Sequence, residues 1–210
     1  VGMKEDISSY IPDLDSPITV IHNPLENIPP FVSSSPNKII ISIGRLVKQK
    51  NHKLLIEAFD KIKDIFPHEL IIIGEGSERE NLENTISSKG LQNRISLPGL
   101  IDNVWKEYNN SALFVLTSIY EGFPNVIIEA MANSTPVISS DCSSGPREII
   151  QHRRNGLLFN VGDANILSEL MIEILDDTEL SDLMKKRAYE GIGMFSSAKI
   201  IKDYQAIFTK

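Results

Sequence analysis

The sequence predicts an α/β protein built on a doubly wound parallel sheet. Three observations carry this. Short aliphatic runs recur that end in glycine or polar residues, as in KIIISIG from Lys38 and LIIIGEG from Leu70. Continuous apolar runs of this length suit strands buried on both faces. The stretches between them space apolar residues three and four apart, the period of a helix with one buried face. No connection between two such runs reads as a tight hairpin, so the strands are expected to be joined by helical crossovers.

Residues 1–36 carry Pro12, Pro17, Pro24, Pro29, Pro30 and Pro36, with Ser33-Ser34-Ser35 before the last. They read as an irregular linker with one short strand, Ile18 to His22. Regular structure is expected over residues 37–210. KIIISIG is the first buried strand. In the following NHKLLIEAFDKIKDIF, the residues Leu54, Leu55, Ala58, Phe59, Ile62, Ile65 and Phe66 share one helical face, and Pro67 stops the helix. LIIIGEG is the second strand, and Ser77-Glu78-Arg79-Glu80 has the form of a capping box opening the next helix. RISLPG, ALFVLTS, PVISSD and GLLF supply the third to sixth strands. Helices are expected between them at Val104 to Asn110, Pro124 to Ala132 and Pro146 to Gln151. Three more close the chain, at Ala164 to Leu175, Glu179 to Gly191 and Ser197 to Phe208.

Bulk properties narrow the function. The 210 residues suffice for one large domain, or one domain plus a remnant. A net charge of −7 argues against a nucleic-acid partner. No apolar run approaches the ~20 residues of a membrane-spanning helix, and no signal peptide is visible. Cys142 is the single cysteine, which excludes a disulfide framework and points to a reducing, cytoplasmic compartment. Nothing near it in sequence resembles the partner base that cysteine catalysis needs. The four histidines lack metal-ligand spacing. Asp13-Leu14-Asp15 has the form of a metal-binding D-x-D, but in a proline-rich linker rather than at a strand end. The chain begins at Val1 rather than an initiator Met, which reads as a fragment or a processed form.

Parallel doubly wound sheets bind ligands at the carboxyl ends of their strands, so the residues that follow each strand are the candidate site. Gly44 allows a sharp turn after the first strand. Arg45 and Lys50 then offer a planar fork and a compact charge, suited to a phosphate. The alternative is a solvated basic loop. Gly74-Glu75-Gly76 starts like a dinucleotide fingerprint but has Arg79 where the third glycine belongs, so a tight turn into a helix is the better reading. After the fourth strand comes Glu121-Gly122-Phe123-Pro124-Asn125. Pro124 suits a first helical position. The N–H groups of Gly122, Phe123 and Asn125 would then form an anion site at a helix N-terminus. Glu129 sits inside VIIEAMA, where burying a carboxylate is costly without a partner. Ligand hydroxyls, a buried Arg or Lys, or a surface position would each account for it. Ser139 to Glu148 is another polar loop at a strand end, which either closes the pocket or caps a helix.

The combination of ISIGRLVKQKN, IIIGEGSERENLE, TSIYEGFPNVIIEAMANSTPVISSD and GPREIIQHRRNGLLFNVGD, in that order, resembles the C-terminal domain of family 4 retaining glycosyltransferases. Their fold is termed GT-B, and this half of it is Rossmann-like. The resemblance covers Ile18 to Lys210 and rests on a G-R-L-x-x-x-K-N segment and two glutamates eight residues apart.

The resemblance implies a nucleotide-sugar-binding domain over residues 37–210. It implies that Arg45 and Lys50 grip the donor diphosphate beside Gly44 and Gly76. Glu129 would bind the ribose hydroxyls and Glu121 the transferred sugar. The loop Gly122, Phe123, Pro124 and Asn125 would add backbone contacts, and the base would lie near Arg94 to Leu97, at Ile95 and Leu97. Arg45, Lys50 and Glu121 would be the catalytic set, with no metal and no other cofactor. Residues 1–36 would be the tail of an N-terminal acceptor domain plus the interdomain linker, crossing at Ile21 to Pro24. Without that domain the chain is expected to fold but not to transfer sugar, with Val1 to Ser16 poorly ordered or packed non-natively.

The implied reaction moves a hexose or N-acetylhexosamine, as the UDP-sugar, to a glycan or lipid-linked acceptor in bacterial surface polysaccharide assembly. The enzyme would work in the cytoplasm, associating peripherally with the inner face of the membrane. The competing readings are a non-catalytic nucleotide-sugar module and a phosphorylase or epimerase of the same fold. A phosphorylase would need a pyridoxal-phosphate lysine motif, which is not evident.

Overall fold

The computed structural model describes residues 7, 10, 11, 18–32 and 38–208. The expectations for Val1 to Ser16 and for Asp13-Leu14-Asp15 lie outside these, apart from Ile7, Tyr10 and Ile11. The six expected strands form one sheet: β1 Ile39–Ile43, β2 Glu69–Ile73, β3 Ile95–Gly99, β4 Leu113–Leu116, β5 Val137–Ser140 and β6 Leu157–Phe159. Their order is β3-β2-β1-β4-β5-β6, and each neighbouring pair is parallel. This is the Rossmann-like arrangement, in which the winding direction reverses between β1 and β4.

Strand side chains alternate between two cores because successive Cβ atoms point to opposite faces. Ile40, Leu70, Ile72, Leu113, Val115 and Ile138 enter one cluster. Ile41, Ile73, Phe114, Leu116 and Val137 enter the other. Helices α1 (His52–Ile62) and α2 (Arg79–Ser88) pack on the first face. On the second lie α3 (Val104–Asn109), α4 (Asn125–Ala132) and the short α5 (Pro146–Ile149). Helix α6 (Ala164–Asp176) returns to the first face, and α7 (Thr178–Gly191) straddles the two, giving Met184 to one and Ala188 to the other. Helix α8 (Ser197–Phe208) closes the described chain. Helices α6 and α7 both start on an aspartate. Asp163 accepts from the N–H groups of Asn165 and Ile166, and Asp177 from that of Leu180, satisfying donors that a helix start leaves orphaned.

Five local expectations are corrected. Ile18 to His22 forms no strand; among the described residues 18–32 the backbone bonds to other backbone only at Leu25, whose N–H donates to the Phe195 carbonyl at 2.7 Å. Helix α1 ends at Ile62 rather than at Phe66. The Arg94 guanidinium collects the carbonyls of Lys63, Phe66 and His68 there and lies over the Phe59 ring, so the chain turns early and Ile65 is left 57% exposed. The capping box at Ser77 is absent. Helix α2 begins at Arg79, and its start is set by Glu78 donating its N–H to the Leu46 carbonyl at 2.8 Å. Pro124 precedes α4 as its cap rather than standing at its first position, and α5 stops at Ile149 because Ile150 is already extended.

Candidate active site

The carboxyl ends of β1 and β4 are adjacent, and the segments after them interlock. The Ile119 N–H donates to the Gln49 carbonyl (2.8 Å) and the Gln49 side chain to the Tyr120 carbonyl (2.8 Å). The Thr117 hydroxyl donates to the Lys50 carbonyl (2.8 Å). Lys50 closes the short 3-10 turn Lys48–Lys50, and its stem runs across Gly44, where an added Cβ would already touch it at 3.4 Å. The Lys50 Nζ reaches Glu121 Oε1 at 2.5 Å, with both side chains largely removed from solvent. Arg45 is exposed beside this pair.

Two serine hydroxyls fix Glu121, and a third fixes Ser118 beside it. Ser118 Oγ donates to its Oε1 (2.6 Å), Ser144 Oγ to its carbonyl (2.6 Å), and Ser140 Oγ to the Ser118 carbonyl (2.6 Å). The segments after β4 and β5 are thereby tied to one residue. Oε1 is taken by both Lys50 and Ser118, and among the described residues Oε2 has no donor. Gly145 makes the close approach of these loops feasible. It has φ +88, and a Cβ there would lie 2.3 Å from the Gly122 carbonyl oxygen and 2.7 Å from Pro124 Cδ.

Helix α4 opens into the same crevice. Among the described residues, no acceptor takes the N–H groups of Gly122, Phe123 or Asn125. The expected linker crossing is seated on this helix start. His22 stacks on Phe123 with centroids 4.8 Å apart, and Asn23 donates to Asn125 Oδ1 at 3.0 Å. His22, Asn23 and Phe123, together with Ile18, Val20 and Glu148, wall a cavity of about 310 Å³.

Glu129, one turn into α4, is half-buried, and its partner is neither a lysine nor an arginine. The Tyr108 hydroxyl donates to Glu129 Oε2 at 3.0 Å. Burial raises the carboxyl pKa above the ordinary range, and the Tyr108 bond partly opposes this. Burial, then the Glu129 charge, push the Tyr108 pKa well up, so the phenol stays a donor. Sequence reasoning missed Tyr108 and Ser118; Ser140 and Ser144 lie in the loop expected either to close the pocket or to cap a helix, and their hydroxyls tie it to Ser118 and Glu121. Tyr108 reads as an ordinary core aromatic at the end of a helix, and only the α3–α4 packing brings it to the carboxylate.

His52 lies beneath the Gly44–Arg45 turn, 3% exposed, near both backbone carbonyls but short of hydrogen-bond geometry. Burial is the main cause of its pKa falling to about 4, and the nearby Lys50 charge adds to it. It is therefore neutral at pH 7, and adds no further charge beside Lys50 and Arg45. Cys142 is buried and its thiol pKa is raised, chiefly by burial, which disfavours the nucleophilic thiolate.

The structure thus ties the segment Gly44, Arg45 and Lys50 to Glu121, Gly122, Phe123, Pro124 and Asn125 at the reversal of the sheet, with Glu129 one turn into α4. Gly76 lies beside the first of these segments, where a Cβ would be 2.3 Å from the Leu46 carbonyl oxygen. Its role is to let the second loop press on the first. Ile95 and Leu97 are placed elsewhere. Ile95 opens β3 at the amino edge of the sheet, pairs with Leu70 and is buried in the first core. Leu97 packs on that core, and its carbonyl takes the Arg79 guanidinium. A strand's amino end faces away from a site at the carboxyl ends, so Ile95 is removed from the candidate contacts.

Comparison with known proteins places the chain in a family. The profile of the family described as glycosyl transferases group 1 matches residues 26–191. A Campylobacter jejuni enzyme, N-acetylgalactosamine-N,N'-diacetylbacillosaminyl-diphospho-undecaprenol 4-alpha-N-acetylgalactosaminyltransferase, is 35% identical over 80% of this chain and 45% of its own length. The lipopolysaccharide core biosynthesis glycosyltransferase LpsE of Rhizobium meliloti is 31% identical over 79% of this chain and 48% of its own. The chain spans about half the length of the curated relatives it matches. A crystal structure of a mutant TarM of S. aureus, in complex with fondaparinux, alpha-GlcNAc-glycerol and UDP, superposes with a TM-score of 0.85. It is 27% identical and is matched over 96% of this chain and 42% of that one. Its fold is GT-B.

Proposed function

The chain belongs to glycosyl transferases group 1, and on that premise we propose that it is the donor-binding half of a retaining, metal-independent glycosyltransferase. Its donor is a UDP-linked hexose or N-acetylhexosamine. Its acceptor is a glycan or a lipid-linked sugar of a surface polysaccharide, held by a further N-terminal domain. The full enzyme works at the cytoplasmic face of the membrane. The names of the relatives from C. jejuni and R. meliloti support the acceptor class, and the UDP in the TarM complex supports the base.

The observation that carries the reading is the Lys50–Glu121 pair at the reversal of the sheet, beside the free N–H groups that open α4. When the bond from sugar to phosphate breaks, negative charge grows on the departing diphosphate. Arg45, Lys50 and the α4 N-terminus are positive ends already in position to meet it, so stabilisation needs no reorganisation at the moment of reaction. These groups take the place that a divalent cation holds in other transferases. Glu121 Oε2 and Glu129 Oε1 orient the sugar and the ribose. Removing any one of these charge-assisted hydrogen bonds should raise the barrier by about 2–4 kcal/mol.

The test is calorimetric titration with UDP, GDP and ADP in the presence of EDTA, repeated with Arg45→Ala and Glu129→Ala. Metal-independent binding of UDP, weakened at least tenfold in both variants, is the expected result. Binding that requires added Mg²⁺, or a preference for GDP or ADP, would overturn the corresponding part of the reading.

A further inference from the structure

Glu129 has a partner inside the protein, and that partner is rigid. The Tyr108 side chain is fully buried, its ring packs against Phe114 at 5.7 Å, and its carbonyl is held by the Thr135 hydroxyl at 2.9 Å. The phenol oxygen is therefore a fixed point from which one hydrogen bond runs to Glu129 Oε2. A glutamate has three side-chain torsions, and leaving them free costs conformational entropy each time a ligand is bound. Among the described residues, Tyr108 is the sole donor to this carboxylate, and Oε1 has none. One oxygen is thus pinned and the other is left without a donor among the described residues.

We infer that Tyr108 is a positioning residue for recognition of the ribose diol, acting through Glu129. It selects the rotamer in which Oε1 meets the 2'- and 3'-hydroxyls of the bound nucleotide. This rests on the reading of Glu129 as the ribose-binding group. Tyr108 does not touch the ligand and supplies no proton. Its bond also favours the ionised carboxylate that accepts two hydroxyls, because a donor to a charged group stabilises that charge. Burial raises the Glu129 carboxyl pKa, and the Tyr108 bond works against that rise.

The test uses the full chain, with UDP and 2',3'-dideoxy-UDP as probes and four forms of the protein: wild type, Tyr108→Phe, Tyr108→Leu and Glu129→Ala. Wild type should prefer UDP over the dideoxy nucleotide by more than tenfold, and Glu129→Ala should erase that preference. Tyr108→Phe preserves the packing volume, and should cut the preference at least threefold while dideoxy-UDP affinity stays within twofold. The acid limb of UDP binding should also move to higher pH in Tyr108→Phe, since the bond that lowers the carboxyl pKa is gone. Tyr108→Leu gives the same readout by a second route. An unchanged preference and an unchanged pH midpoint in both Tyr108 variants would overturn the inference, leaving Tyr108 as packing. If wild type does not discriminate the two nucleotides, or if Glu129→Ala still does, then Glu129 does not bind the ribose. The reading of the site then fails first and takes the inference with it.

Discussion

Lys50 and Glu121, 71 residues apart in the chain, meet at 2.5 Å across the crevice between β1 and β4. Neither residue has its partner near it in sequence, and both are largely withdrawn from water. Breaking such a pair leaves a carboxylate with the Ser118 hydroxyl as its remaining side-chain donor, and an uncompensated buried charge is costly. Lys50→Ala should therefore lower unfolding stability by about 3 kcal/mol, read from urea denaturation. Adding Glu121→Gln to that variant should recover part of the loss, because the orphaned charge is removed. Additive effects of the two changes would show that the pair contributes no coupling in solution.

His52 makes stability depend on pH in a defined window. Its pKa is about 4 in the folded chain and near 6.5 in the unfolded chain. Above pH 6.5 both states are neutral and the full contribution is present. As pH falls from 6.5 towards 4 the unfolded chain takes up the proton first, so stability is lost. The total is about 3 kcal/mol. His68, half-buried and also lowered, adds a smaller slope of the same sign. Thermal unfolding followed between pH 7 and pH 5 should show this decline, and His52→Gln should flatten most of it. A decline of equal size in the variant would assign the effect elsewhere.

Gly145 links the β5 loop to the start of α4. A methyl group there meets the Gly122 carbonyl oxygen at 2.3 Å, and the backbone sits at φ +88, a region that costs other residues about 1 kcal/mol or more. Gly145→Ala should destabilise the chain by roughly 1–3 kcal/mol. It should also weaken UDP binding beyond that of a neutral surface change, because Gly122 and Pro124 must move. Unaltered nucleotide affinity in a folded variant would mean that the α4 N-terminus does not contact the donor.

The sequence by itself determined the class of fold, the six strands and their approximate order along the chain. Buried parallel strands and amphipathic crossovers are local patterns, and KIIISIG or LLIEAF carries its signal within one element. The glutamate pair and the Arg45-to-Lys50 segment were legible for the same reason. Each lies within a short motif directly after a strand, and resemblance to a family assigns it. The limits of elements were less legible. Helix α1 stops four residues before Phe66, where Arg94, some thirty residues later, gathers the carbonyls of Lys63 and Phe66 just beyond the helix, and α2 starts where a backbone bond to Leu46 puts it. Packing across the sheet decides such ends, and no local propensity encodes them.

Only the tertiary structure decided which partners the carboxylates have. Glu129 was expected to need a ligand hydroxyl, a cation or solvent, and the fold supplies a phenol from α3. Glu121 draws on a lysine from the β1 loop and on serines after β4 and β5 that read as loop polarity. Ile95 passed as a donor-binding position because its place along a motif says nothing about which end of a strand it occupies. The physical reason is common to the two carboxylates. Buried charge has to be satisfied by donors at about 3 Å, and distances of that kind are set by how elements pack rather than by how they are spaced in the chain.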